Sequence, residues 1–213
     1  MINLLTAFMD DIINGQLTPN LIKNPKYPDI QTNNGLIYNE FSLQHALGAY
    51  LEKSFGNGYR VEFERNSEKC FGIKTDTKHE IDIVVYNNNE RKCAIELKFP
   101  RNGQYPEQMF SFVKDIAFLE ELANDTHPFE KAYAITLVDD EKFYKNISTK
   151  SNNYIYKHFR CTSKLPDALH AGIYPKPTGN KPIYVALNNS YQIDWQYAQN
   201  ANSPLAYYIV KVK

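Results

Sequence analysis

Apolar and polar positions recur along the chain with two periods, and the change from one to the other marks out its elements. Ile2, Leu5, Phe8, Met9, Ile12 and Ile13 fall at helical spacing, which predicts an amphipathic helix from Ile2 to about Asn14, stopped by Gly15. The next stretch, "QLTPNLIKNPKYPDIQTNNG", carries three prolines and reads as a connecting loop. "NEFSLQHALGAYLEKSFG" restores the helical period through Leu43, Leu47, Tyr50 and Leu51, with Asn39 as N-cap and Gly56 as stop. Glu40 and Gln44 lie four apart beside that stripe. The period then shortens to two. "YRVEFERNS" sets Val61 and Phe63 against Glu62 and Glu64, and the apolar runs Ile81 to Tyr86 and Cys93 to Phe99, joined by "NNNERK", predict a β-hairpin.

Pro106 opens a third helical pattern, "PEQMFSFVKDIAFLEELA", whose Phe112, Val113, Ile116, Leu119 and Leu122 supply a core-facing stripe. "KAYAITLVDD" predicts a buried strand and "EKFYKNIS" a short helix. Beyond Ser151 the pattern is weaker. "YIYKHFR" fits a strand or a helical turn, "IYPKPTGNKP" a loop, and "IYVALNNSYQIDWQY" and "AYYIVKVK" closing strands. This order predicts an α/β protein with a mixed central sheet flanked by helices.

Composition adds bounds. The 213-residue length fits one domain, and 43% hydrophobic residues suffice for a sizeable core. Twenty-four Lys and Arg balance twenty-four Asp and Glu, so there is no global basic footprint, although an acidic site can offset a basic groove in the sum. Three widely spaced cysteines suggest neither a disulfide framework nor a zinc knuckle. With no signal-like leader and no membrane-spanning apolar run, a reduced, cytoplasmic protein is expected. The five histidines, His45, His79, His127, His158 and His170, show no zinc spacing, and His79 beside Glu80 and Asp82 is an outer-shell candidate at most. Asn102 to Gln104 is too short for a phosphate loop. Asn146-Ile147-Ser148 fits a glycosylation acceptor in form only.

The hairpin carries the chemistry. Side chains alternate along a strand, so Ile95, Leu97 and Phe99 share one face while Ala94, Glu96 and Lys98 share the other. Asp82 shares its face with Val84 and Tyr86. Three ionisable groups thus interrupt two otherwise apolar strands, and buried charge must be paired or bind a metal. Either the three neutralise one another as an ion-pair network, or they form a site. Phosphodiester hydrolysis would need this set: carboxylates for a divalent cation, and a lysine to position water and offset developing charge.

The pattern "EIDIVV" followed by "AIELKFP" resembles the PD-(D/E)XK nuclease superfamily, although Ile81 replaces the motif's proline. The resemblance implies a restriction-endonuclease-like αβββαβ core over about 39–138, preceded by a helix and loop (1–38) and followed by a C-terminal extension with extra strands (151–213). It implies Asp82 and Glu96 as metal ligands, with the Leu97 carbonyl contributing, and Lys98 as the catalytic lysine. Glu40 is its best additional acidic ligand, although helix dipoles favour a first-turn glutamate in any case. Gln108, or second Lys114, is the polar residue its following helix would contribute, unless it is simply solvated. The implied cofactor is Mg²⁺, with Mn²⁺ able to substitute. The implied activity is endonucleolytic cleavage of DNA, of restriction or phage-defence type, with RNA also open as substrate and no membrane partner. Cleavage of both strands would favour a homodimer. The competing class is a non-catalytic module binding nucleic acid or protein on the same fold. Glu62 and Glu64 are expected to face solvent or to pair with Arg60 and Arg65, with an approach to the metal also open for Glu64. The tyrosine- and lysine-rich C-terminal third suits either nucleic-acid stacking or a half-exposed sheet face.

Overall fold

The computed structural model describes residues 1–15, 30–32, 35–88, 90–101, 103–124, 129–146, 153–161, 165–180 and 182–213. Helix α1 (Ile2–Asn14) buries the predicted stripe of Leu5, Phe8, Met9, Ile12 and Ile13. Within the expected loop, β1 (Ile30–Thr32) and β2 (Gly35–Ile37) pair as a small antiparallel ladder, while 16–29 lie outside the described residues. Helix α2 (Glu40–Phe55) starts at Asn39, as its sequence predicts. The Asn39 side chain accepts the Ser42 N–H at 2.8 Å, and the Ser42 hydroxyl accepts the Asn39 N–H at 3.0 Å. This reciprocal cap fixes the first turn, and with it Glu40.

Strand β3 (Tyr59–Asn66) runs into a five-residue helix, α3 (Ser67–Phe71), which no periodicity announced. The hairpin follows as β4 (Glu80–Asn87) and β5 (Glu90–Lys98). Helix α4 (Tyr105–Leu122) and β6 (Lys131–Val138) complete an α-β-β-β-α-β order interrupted only by α3. The "EKFYKNIS" and "YIYKHFR" stretches contain 3₁₀ turns at Glu141–Phe143 and Tyr154–His158. The segment expected as loop after Ile173 instead holds β7 (Gly172–Pro175), paired with β8 (Tyr184–Leu187). β9 (Gln196–Tyr197) and β10 (Ala206–Lys211) close the described chain.

The main sheet has six strands in the order β3-β4-β5-β6-β10-β9. Only β5 and β6 are parallel, because α4 carries the chain back across one face; the other pairs are antiparallel. The sheet is buried on both sides. Ile83, Val85, Cys93, Ile95 and Leu97 pack with α1 and α2, while Val84, Tyr86 and Ala94 pack with α4 and the C-terminal segment. Each buried Val, Ile or Leu among them contributes roughly 1.5–3 kcal/mol. A charge placed between these layers must therefore be accounted for.

Two expectations change. Phe63 shares the face of Val61 but is 38% exposed: on this edge strand its ring rests against Gly48 of α2 without being covered, and the next residue, Glu64, takes a left-handed φ of 50°. The C-terminal tyrosines are mostly core: Tyr174, Tyr207 and Tyr208 are buried, while Tyr154 and Tyr184 stay exposed. They leave only an interrupted aromatic face. Glu62 bridges Arg60 and Arg65, as expected, at 3.0 Å to each. Asn102, His127, Ile147 and Ser148 lie outside the described residues.

Candidate active site

The site forms where β4 and β5 diverge. Their ladder runs from Ile83 opposite Ile95 outward to the turn, with a register shift between Val85 and Tyr86, but no paired register extends to Asp82 and Glu96. The backbone groups left over are taken up by side chains. The Asp82 carboxylate accepts the Leu97 N–H at 2.7 Å, and Glu96 accepts the Asp82 N–H at 3.2 Å. Gln44 of α2 donates to the Asp82 carbonyl at 2.6 Å and to Glu64 at 2.7 Å. Glu64 thus reaches the edge of the site through Gln44, a bond its left-handed backbone permits.

One oxygen of each carboxylate is therefore held by the backbone, and the other two meet at a single cation. Lys78, from the loop before β4, places its ammonium 2.8 Å from Asp82 Oδ1 and 2.5 Å from Glu96 Oε2. Both acids are buried, Glu96 completely at its side chain. Burial and the neighbouring Asp82 hold the Glu96 carboxyl well above the usual carboxylate range, against the pull of Lys78. For Lys78, burial would lower the pKa, but Glu96, Asp82 and Asp115 outweigh it and raise it.

Lys98 occupies a second cation position. Its Nζ lies 3.2 Å from Glu40 Oε1, 3.4 Å from Asp115 Oδ2 and 3.0 Å from the Leu97 carbonyl. Desolvation opposes its charge, yet Asp115, Glu40 and Asp82 together raise its pKa above the ordinary lysine value. Asp115 is buried in the middle of α4. Desolvation pushes its carboxyl up to about 6, moderated by Lys98 and Lys78.

The structure thus brings Asp82, Glu96 and Lys98 into one network, but not every sequence candidate joins it as expected. Glu40 is no third oxygen beside the Asp82–Glu96 pair. The start of α2 points it at Lys98, and its other oxygen accepts the Phe99 N–H at 3.1 Å. Gln108 stands in the first turn of α4, two turns before Asp115, and it is Asp115 that supplies this helix's contact with Lys98. Lys114 lines a groove of about 370 Å³ between α4, Asp76 and Thr77, and the β7–β8 hairpin, to one side of the network. Lys78, Asp115 and Gln44 were not assigned from sequence. Asp115 carries a legible signal, an acid between Phe112 and Ile116 on an apolar helix face. Lys78 carries none, since its loop has no period.

Among the described residues no three His, Cys, Asp or Glu side chains cluster as a ready cation cage. The donor chemistry still fits a hard divalent ion: two buried carboxylate oxygens converge on one positive point, and Mg²⁺ needs only one or two carboxylates beside its waters. The network reaches solvent at Lys78, whose side chain is 28% exposed, and at Glu40, whose side chain is 42% exposed.

No protein-family profile matches the chain, and no solved structure matches it. Among curated proteins it is similar to UvrABC system protein C of Aliarcobacter butzleri (strain RM4018), 27% identical over an alignment 161 residues long that covers 71% of this chain and 25% of that protein. The chain spans about a quarter of the length of the relative it matches. The match does not point to the PD-(D/E)XK superfamily in particular. No helix among the described residues is long and apolar enough to cross a membrane.

Proposed function

We propose that the protein is a metal-dependent nuclease of PD-(D/E)XK type that hydrolyses phosphodiester bonds in DNA. The observation that carries this reading is the convergence of Asp82 and Glu96, two buried carboxylates, on one cationic point beside Lys98. Asp82 and Glu96 would hold Mg²⁺ or Mn²⁺, which supplies charge neutralisation and acidifies a water. Lys98, pinned between Glu40 and Asp115, keeps its proton and offers a fixed positive charge to the phosphate. Glu40 and Asp115 act through Lys98, by holding its ammonium in place.

The similarity to UvrABC system protein C, a nuclease, supports nuclease activity in general and leaves its type and metal open. Restriction or phage defence as the setting rests on the sequence resemblance alone. A second reading, a non-catalytic binding module, is favoured by one observation: Lys78 already balances the carboxylate pair without a metal. Supercoiled plasmid incubated with the protein and Mg²⁺ or Mn²⁺, beside Lys98→Ala and an EDTA control, separates the two. Metal-dependent nicking or linearisation lost in the variant supports the nuclease. A folded protein that leaves DNA and RNA intact with either metal supports the module.

A further inference from the structure

The nuclease reading gives no part to Lys78, yet this residue makes the closest contacts in the site. Each of the two carboxylates has one oxygen committed to a backbone N–H: Asp82 Oδ2 to Leu97, and Glu96 Oε1 to Asp82. Asp82 Oδ1 and Glu96 Oε2 are the oxygens without a backbone bond among those described, and the Lys78 ammonium touches both. An ion bridging these oxygens would need the position that Nζ holds. Lys98 does not compete for it, because its own contacts are with Glu40, Asp115 and the Leu97 carbonyl. Across the network, four carboxylates face two ammoniums, so two negative charges are unmatched when all are ionised.

Lys78 is also placed to leave. It belongs to the loop between α3 and β4, not to a strand, and its side chain is 28% exposed. The loop itself is anchored: Glu121 of α4 accepts the Asp76 N–H at 2.8 Å, and the Thr75 hydroxyl donates to the Lys78 carbonyl. A lysine stem has enough rotatable bonds to carry its ammonium into water while the backbone stays fixed.

We propose that Lys78 is a resident counter-cation, which holds the Asp82–Glu96 pair together in the metal-free protein and is displaced when a divalent ion binds there. This rests on the metal reading above. It makes metal binding a competition: the apparent affinity is the intrinsic affinity reduced by the fraction of molecules in which Lys78 is away. Lys78 is then a positioning residue that sets the metal concentration at which the site fills. Removing its charge has opposite effects on two measurements, whereas a merely structural lysine would lower both.

The test is Mn²⁺ titration of the full chain by calorimetry, without substrate, together with thermal melting with and without Mn²⁺. Lys78→Met and Lys78→Gln should bind Mn²⁺ about tenfold more tightly than wild type or better, as expected when a competing state is removed. Their metal-free melting temperature should fall, and Mn²⁺ should raise it more than in wild type. Lys78→Arg keeps the charge and can engage both carboxylates through its fork, so it should bind Mn²⁺ no more tightly than wild type. That variant carries the test should the neutral ones fail to fold: tighter Mn²⁺ binding by Lys78→Arg overturns the proposal. Wild-type-like or weaker binding by the folded neutral variants overturns it too, while leaving the metal site intact. Absence of Mn²⁺ binding from wild type and all variants overturns the metal reading and the counter-cation together.

Discussion

Asp82 and Glu96 each serve a backbone N–H that the parting of β4 and β5 leaves without a ladder partner: Asp82 takes that of Leu97 at 2.7 Å, and Glu96 takes that of Asp82 at 3.2 Å. The two acids are therefore part of the fold as well as of the candidate chemistry, and their substitutions should separate these roles. Glu96→Gln keeps an acceptor oxygen and removes a charge that burial and Asp82 disfavour. Its metal-free melting temperature at neutral pH should be at or above wild type. Asp82→Ala strands the buried Leu97 N–H and should cost about 1–3 kcal/mol. Calorimetry with Mn²⁺ supplies the functional half: Asp82→Asn and Glu96→Gln should each bind at least about tenfold more weakly, the scale seen when support of a metal ligand is lost. Unchanged titrations would refute the ligand assignment.

Lys98 should behave differently. Its ammonium is held by Glu40, Asp115 and the Leu97 carbonyl. Lys98→Ala should thus leave Mn²⁺ affinity within a few-fold of wild type and cut DNA cleavage by about 10²–10³-fold, the usual loss for one preorganised electrostatic group. A variant cleaving at the wild-type rate would remove Lys98 from the mechanism.

What the sequence made legible follows a physical division. The helices α1, α2 and α4 could be read because their apolar residues repeat at one period over thirteen residues or more. Asp82, Glu96 and Lys98 stood out because they interrupt apolar strands. The same logic applied to α4 would have found Asp115, an acid between Phe112 and Ile116. Lys78 was out of reach, since a lysine in a loop is ordinary until the fold shows what it touches. Phe63 was misplaced for a related reason: alternation gives the face a side chain takes, not how far that face is covered at the edge of a sheet. β7 was hidden by prolines and a glycine, which mark loops yet are tolerated in short edge strands.

The pH dependence of stability should report Asp115. Its carboxyl is pushed up to about 6 in the folded protein by burial, against the opposing pull of Lys98 and Lys78. An unfolded aspartate releases its proton near about 3.9. Between these values the folded state binds more protons than the unfolded state, so stability should fall as pH rises through the window. Asp115→Asn has no such proton to hold, and its denaturation midpoint should change less from about pH 4 to about pH 6. If the Asn variant keeps the full wild-type slope, another group titrates there.

Gly48 offers a test of how the edge of the site is seated. A Cβ at this α2 position would fall 2.2 Å from Cζ of Phe63 and 2.6 Å from its Cε1, so the ring lies directly on the glycine. Gly48→Ala must push the ring away. Because Phe63 is part-exposed, the ring can swing out while the helix stays. Alanine favours a helix interior by about 1 kcal/mol over glycine, but the displaced ring loses its packing, a cost of about 1–3 kcal/mol for an overfilled contact. The single variant should therefore be less stable than wild type. With Phe63→Ala in the background the clash is gone and only the helical gain remains, so the same substitution should stabilise by about 1 kcal/mol. Urea titrations of the four proteins in this cycle measure the coupling. A sign reversal between backgrounds would establish that Gly48 exists to seat Phe63, next to the Glu64 turn that meets Gln44. Equal effects in both backgrounds would mean that the ring does not rest on the helix in solution.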